Sequence, residues 1–450
     1  MEVILQGNEM VLQALRPMKK TKDSNRLLRY CVEADIEKGT LIFNLLTREL
    51  LLLDQKEYHS LCENDYLKDH WFVVPENTKD KEYADFVRWM LKNRKKKTKA
   101  ITNYSIFTTM DCNARCFYCY EQGRPRTPMS KETAGKVVQY IKEHHGDKKV
   151  NLAWYGGEPL YNLEIIDIIC GGLVRENVEF TSTMISNGYL FDEDIIQKAV
   201  DFWKLKTIQI TLDGTEKVYN RTKAYVGANG NPYQRVLDNI KILLDKGVHL
   251  QIRMNMDMHN AKDLMLLVEE LSEKFSGRSN IHVYSYPIFK PERDMAGIHS
   301  DEEWDMRFEA KRILDQKIGD CGLASKRGLN RNPTLNYCMA DSGNAITIVP
   351  DGSIGLCDHH SEDEFIGHID REGFDEDVIA SWKERIPEIP ACEECFYYSE
   401  CCTLRKCKVA SVCFAQMRTE YYRETQRAML AEYEQWKKGS TKEDNAVPEV

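Results

Sequence analysis

Residues 104–121 read YSIFTTMDCNARCFYCYE, an apolar strand-like run followed at once by Cys112, Cys116 and Cys119. Thiols spaced by three residues and then two call for a metal centre. Three of them leave one position open, whereas a tetrahedral structural zinc site closes with four protein ligands. Either a zinc ion with a distant histidine or an iron–sulfur cluster with one accessible iron meets that spacing.

The surroundings of this stretch set the fold. Apolar runs recur at 104–109, 150–155, 178–185, 207–212, 248–255 and 281–287. Helical patterns lie between them near 131–144, 161–174, 192–203, 233–246 and 261–274. Six βα repeats predict parallel strands joined by right-handed crossovers. The result is an α/β fold, as an open doubly wound sheet or part of a (β/α) barrel. In both, ligands sit beyond the carboxyl ends of the strands, where Cys112 falls.

Flanking segments differ. Residues 28–53 carry two apolar runs split by EKG at 37–39, followed by helix-like stretches near 54–63 and 81–92. A small α+β domain over 1–95 is expected, then the basic linker KNRKKKTK at 92–99. The barrel is expected over 100–310, a cysteine-rich domain over 311–415, and a charged helix with a frayed tail over 416–450. The cysteine-rich part has few regular elements, so metal binding would supply free energy that packing does not.

Composition narrows the function classes. Of 450 residues, 42% are hydrophobic and 30% charged, and the net charge is −9. That balance argues against a general nucleic-acid binder. No apolar run reaches membrane-spanning length and no signal-peptide pattern opens the chain, so a cytoplasmic location is expected. Fifteen cysteines in a reducing compartment point to metal or redox chemistry rather than disulfides. Cys31, Cys62 and Cys170 stand alone and read as small buried hydrophobes.

CNARCFYC resembles the signature of the radical S-adenosylmethionine (SAM) enzymes, in which three cysteines hold a [4Fe–4S] cluster and SAM chelates the fourth iron. WYGGEPL at 154–160, SNGYL at 186–190, QITLDG at 209–214, YNRTK at 219–223 and IRMNMD at 252–257 resemble further elements of that family, each after the expected strand. The resemblance implies a partial (β/α)6 barrel. It also implies SAM-binding roles for Tyr118, Gly156, Gly157, Glu158, Pro159, Ser186, Asn187, Asp213 and Arg253. Reductive cleavage of SAM would give a 5′-deoxyadenosyl radical able to take hydrogen from an unactivated carbon.

The C-terminal cysteines resemble the SPASM extension, which in relatives carries two auxiliary [4Fe–4S] clusters. Cys338, Gly352 and Cys357 fit its opening, and Cys392, Cys395 and Cys401 its middle. The family's next cysteine position is Arg405 here. Cys402 and Cys407 flank that gap, Cys413 stands as a last ligand, and Cys321 lies upstream. A zinc-stabilised lobe is the alternative. Asp358 matches the aspartate that serves as general base in anaerobic sulfatase-maturating enzymes; a turn aspartate is the plain alternative. His359 and His360 read as surface residues.

The N-terminal segment resembles the winged-helix peptide-recognition domain of peptide maturases, which implies a precursor-peptide partner whose leader adds to a strand edge. The expected function is a radical SAM/SPASM maturase that forms a thioether or similar crosslink, fed by an electron donor such as flavodoxin or ferredoxin. A formylglycine-forming enzyme and a non-catalytic iron–sulfur carrier are the alternatives.

Overall fold

The computed structural model describes residues 1–18, 25–94, 100–119, 121–288, 301–325, 328–333, 335, 338–359, 364–401, 404–407, 413 and 415–443. Most of the basic run, His360, Cys402 and the final residues of the tail lie outside this set. The chain forms two compact units. One combines Met1–Lys96, Lys326–Tyr337 and Arg385–Val450; the other combines Lys97–Ser325 and Cys338–Glu384. These units cut across the expected chain-order segments, because residues from Arg385 onward fold with the N-terminal strands.

In the first unit β1 (Glu2–Leu5), α1 (Glu9–Leu15), β2 (Asn25–Leu27), β3 (Cys31–Ile36), β4 (Gly39–Asn44) and β5 (Glu49–Leu53) precede α2 (Gln55–His59), α3 (Asp65–Asp69), β6 (Val73–Pro75) and α4 (Asp80–Arg94). An antiparallel sheet runs in the order β1-β5-β4-β3, and β2 pairs with β6. All five residues of β5 are buried, as a central strand covered on both faces requires. The C-terminal helix Ala415–Glu443 supplies part of that cover, with Met429 and Tyr433 in the same core as Leu41, Phe43 and Leu51.

That helix also closes a sheet edge. At Glu33 in β3, the backbone N–H donates to Tyr422 Oη at 3.1 Å and the carbonyl accepts from Gln426 Nε2 at 2.7 Å. Side chains thus satisfy groups that an edge strand would otherwise offer to another chain.

The second unit holds the repeat predicted from sequence. It comprises β7 (Asn103–Thr109), α5 (Lys131–His144), β8 (Val150–Gly156), α6 (Leu163–Arg175), β9 (Phe180–Ser186), α7 (Glu193–Asp201), β10 (Leu205–Thr211), α8 (Glu216–Lys223), α9 (Pro232–Asp245), β11 (His249–Met256), α10 (Ala261–Phe275) and β12 (Ile281–Pro287). Strands β7 to β12 are parallel and lie in sequence order. Alternate residues of these strands are buried against the helices; Leu152 and Trp154, or Ile208 and Ile210, are fully enclosed.

Beyond β7 the sheet continues. After α11 (Asp301–Asp320) and α12 (Met339–Ser342) come β13 (Ala345–Ile348), β14 (Ser353–Gly355) and β15 (Gly367–His368), then α13 (Glu376–Lys383). β13 pairs parallel to β7, and β14 and β15 follow antiparallel, so the sheet has nine strands. Among the described residues no helix is long and apolar enough to cross a membrane.

Candidate functional site

The site is built from loops at the carboxyl ends of β7 to β11. The loop after β7 carries the three cysteines, and its path is fixed by the two glycines after β8. A Cβ on Gly156 would lie 2.1 Å from the Thr109 carbonyl oxygen, and its φ of +122° is costly for any other residue. A Cβ on Gly157 would lie 2.3 Å from the Asp111 carbonyl oxygen. Their absence lets Gly157 N–H donate to Thr109 O and Glu158 N–H to Asp111 O, both at 3.0 Å. The glycines therefore admit the cysteine loop, beside whatever ligand they approach.

Glu158 extends the tie to the next strand. Its Oε1 accepts from Ser186 Oγ at 2.8 Å and Leu160 N–H at 3.3 Å, and Oε2 accepts from Asn187 N–H at 2.8 Å. Burial raises its pKa to about 7 against those stabilising donors. Pro159 is buried and starts the short turn Pro159–Asn162. Asn187 in turn donates through Nδ2 to Asn113 Oδ1 at 2.7 Å and stands 3.8 Å from Cys112 Sγ.

A second tie comes from β10 and α8. Asp213 Oδ1 accepts from Asn255 N–H at 3.2 Å, and Oδ2 accepts from Tyr118 Oη at 2.5 Å and pairs with Lys223 Nζ at 2.8 Å. Lys223 also reaches Tyr118 Oη at 2.9 Å. Its backbone carbonyl takes Arg115 N–H at 2.8 Å, and Val226 N–H donates to Asn113 O at 2.8 Å. Desolvation alone would lower the Lys223 pKa. The Asp213 carboxylate beside it outweighs burial and holds the ammonium charged.

Lys223 was not anticipated as a site residue, and Arg221, the arginine of YNRTK, is exposed. Glu158 and Asp213 are both 0% exposed, so neither presents surface that a ligand can touch. Tyr118, Gly156, Gly157, Asn187 and Arg253 are partly accessible, while Ser186 is buried beneath Asn187. Arg253 donates through Nε to Asn255 Oδ1 at 2.9 Å and its guanidinium lies 4.2 Å from the Tyr286 ring centroid.

The three thiols sense one another electrostatically. Burial pushes Cys112 up to about 12, with Glu158, Cys116 and Cys119 adding to the rise; Cys119 is raised mainly by burial as well. Metal-free, Cys112 and Cys119 are neutral thiols whose protons iron must displace. Among the described residues no three His, Cys, Asp or Glu side chains converge on the point a single ion would occupy. A cluster asks for something else, since each thiolate binds a different iron. The buried, partnerless Nδ2 of Asn113 beside Cys112 also suits a sulfur-rich group that accepts hydrogen bonds. The residues fit a cluster.

The remaining thiols divide between the units. In the first unit Cys395 is raised by burial and by the nearby Cys401 and Cys413, and Arg418 Nη1 lies 3.2 Å from Cys413 Sγ. Cys392 closes the turn before Cys395, and Cys407 follows Leu404 in a turn. Arg88 of α4 donates to the carbonyls of Tyr398 and Cys401, with its guanidinium 4.4 Å from the Tyr398 ring centroid. In the second unit Cys321 follows α11, Cys338 starts α12, and Cys357 follows β14. Asp358 Oδ1 lies 3.6 Å from Cys357 Sγ, and burial raises the Tyr155 phenol of β8, with the Asp358 carboxylate adding to the rise. His359 contributes its backbone N–H to Cys357 Sγ at 3.3 Å. Every described cysteine is a free thiol.

Comparison with known proteins agrees with this geometry. An uncharacterised Methanocaldococcus jannaschii protein, MJ0907, is 26% identical over 255 residues, covering 55% of this chain and 82% of that one. A Methanopyrus kandleri protein named "Probable GTP 3′,8-cyclase" is 25% identical over 227 residues, 48% of this chain and 68% of that one. Native anSMEcpe with bound AdoMet superposes with a TM-score of 0.51 at 15% identity, over 74% of this chain and 99% of that one. Its complex with AdoMet and the Kp18Cys peptide gives 0.51 at 16% identity over the same shares. At such identities the likeness speaks for the fold alone. Residues 106–271 match the model of the Radical SAM superfamily, so this chain carries a radical SAM domain, which implies S-adenosylmethionine and a [4Fe–4S] cluster.

Proposed function

We propose that this protein is a radical SAM maturase that modifies a ribosomally made precursor peptide, forming a sulfur-to-carbon thioether. Cys112, Cys116 and Cys119 would hold the catalytic cluster. When bound, the cluster and SAM supply a 5′-deoxyadenosyl radical that takes hydrogen from an unactivated carbon. Gly157 and its neighbours shape the loop, and the Glu158–Asn187 and Asp213–Lys223–Tyr118 ties hold it in register. Glu158, Pro159, Ser186 and Asp213 act from behind the ligand surface. Tyr118 and Arg253 face it.

The observation that carries the peptide reading is the position of Asp358, whose Oδ1 lies 3.6 Å from Cys357 Sγ. A carboxylate there, beside a thiol of the second unit, would take a proton from a substrate thiol or hydroxyl. Cys338 and Cys357 on one side, and Cys392, Cys395, Cys401 and Cys413 on the other, would hold two auxiliary clusters, with Cys321 and Cys407 as further ligands. The same aspartate serves the second reading, oxidation of a cysteine or serine to formylglycine. The peptide in the anSMEcpe complex motivates a peptide partner in both cases. A leader strand cannot add to β3 at Glu33, where Tyr422 and Gln426 already bind.

The test is anaerobic turnover of reconstituted protein with a flavodoxin or ferredoxin donor, SAM and cysteine-containing peptides. Release of 5′-deoxyadenosine with a peptide lighter by two hydrogens and resistant to thiol alkylation supports the thioether; an aldehyde product selects formylglycine. An Asp358→Asn variant should cleave SAM yet lose the peptide product. If reduced protein leaves SAM intact while Cys112→Ala behaves identically, the radical reading is wrong.

A further inference from the structure

Asn113, next to the first cysteine, has one polar atom that the protein leaves unsatisfied. The residue is 6% exposed, and its Nδ2 has no hydrogen-bond partner. The direction of this amide is dictated by its neighbours. Tyr189 N–H donates to Asn187 Oδ1 at 3.0 Å, which makes the other end of Asn187 the donor. That Nδ2 lies 2.7 Å from Asn113, so the atom facing it must be the acceptor Oδ1. Turning the Asn187 amide over would set its –NH2 against the Tyr189 N–H and lose that bond, so the choice is fixed.

The Asn113 –NH2 group therefore points away from Asn187 with nothing to receive it. Its backbone is fixed as well, through Val226 N–H on Asn113 O and Arg115 N–H on Lys223 O, each at 2.8 Å. Buried donors without acceptors are rare in folded proteins, and each asks for an explanation. The amide stands beside the first of the three thiols. Cys112 Sγ lies 3.8 Å from Asn113 Oδ1, takes Ala114 N–H at 3.3 Å, and lies 3.8 Å from Asn187 Nδ2.

We propose that Asn113 Nδ2–H donates a hydrogen bond to the sulfur edge of the cluster held by Cys112, Cys116 and Cys119, and so sets its reduction potential. This rests on the reading that those thiols hold an iron–sulfur cluster. A donor to cluster sulfur favours the reduced, more negative state and raises the potential. Asn113 is a positioning and tuning residue; it acts through the cluster.

The experiment is a redox titration followed by electron paramagnetic resonance on whole protein without SAM. The signal of interest is the one lost in the Cys112/Cys116/Cys119 triple-alanine variant. Asn113→Ala should lower the reduced-to-oxidised ratio at fixed potential about tenfold, equivalent to about 59 mV for a one-electron couple. Asn113→Asp, which keeps the acceptor for Asn187 and replaces only the donor, should lower it further. An unchanged midpoint in Asn113→Ala overturns the proposal. If neither variant takes up the cluster, wild-type protein labelled with 15N on asparagine side chains decides. A 15N coupling to the reduced cluster is expected, and its absence is the refuting result. A wild type with no such signal at all overturns the underlying cluster reading instead.

Discussion

Replacing Gly157 by alanine is the sharpest test of how the cysteine loop is held. The new Cβ would sit 2.3 Å from Asp111 O, against 3.4 Å where ordinary contact begins, a deficit of about 1.1 Å. The obstacle is backbone, with the Asp111 carbon at 2.6 Å and Met110 O at 2.9 Å, so no rotamer change relieves it. The loop must move by about that distance. Doing so breaks Gly157 N–H to Thr109 O and Glu158 N–H to Asp111 O, at about 1 kcal/mol each. A 1 Å error at reacting groups costs on the order of 100-fold in rate. Gly157→Ala should lose about 2 kcal/mol and at least about 100-fold in 5′-deoxyadenosine formation, with lower iron retention. Gly171→Ala is the control: its Cβ would make ordinary contacts with Phe202 Cζ at 3.4 Å and Arg175 Nη1 at 3.6 Å, inside α6. It should keep full activity and gain up to about 1 kcal/mol. If the two variants turn over within twofold of each other, the claim that these glycines admit the loop is refuted.

Two other predictions concern stability. Glu158 titrates at about 7 when folded and near 4.5 when unfolded, so its stabilising contribution is complete below pH 4.5 and is lost as pH rises through about 7. In metal-free protein the stability of Glu158→Gln minus wild type should therefore rise by about 3 kcal/mol between pH 4.5 and 8; a flat difference would show that the carboxyl is not desolvated. Arg88→Ala should free the Tyr398 and Cys401 carbonyls and cost about 2 kcal/mol. It should also lower the iron remaining when Cys112, Cys116 and Cys119 are absent, and unchanged iron content would separate α4 from the Cys395 group.

The six parallel strands were legible because both faces of such a sheet are covered, which writes apolar runs into the sequence. Their positions agree with prediction within two residues, VNLAWY becoming β8 and VHLQIRMN β11. What escaped was structure whose cause lies far away in the chain. YNRTK reads as a polar turn, yet it ends α8 and buries Lys223 against Asp213 and Tyr118, partners 10 and 105 residues earlier. The β1 strand is too short to announce itself. The C-terminal helix is mostly charged; its contact with β3 depends on a few widely spaced residues such as Tyr422, Gln426, Met429 and Tyr433. Spacing grouped Cys395 with Cys401 but gave no signal that Arg88 would hold their turn.

The family motifs invite each conserved-looking polar residue to be read as a ligand to the cofactor, and the hydrogen-bond accounting points to a different division of labour. Glu158 accepts three bonds, Asn187 is committed at both ends of its amide, and Asp213 has both oxygens taken. A group so engaged has little left to offer a ligand, and Glu158 and Asp213 have no exposed surface besides. These residues instead form two ties that converge on one short segment, Asp111–Arg115: one from β8 and β9 through Glu158 and Asn187, the other from β10 and α8 through Asp213 and Lys223. Rigid support of that kind is what a loop of half-buried thiols needs if it is to present three sulfurs at fixed separations before iron arrives. The groups left over are Asn113 Nδ2, the Arg253 guanidinium and the Asp358 carboxylate. They are the ones with capacity to act on something other than the protein itself.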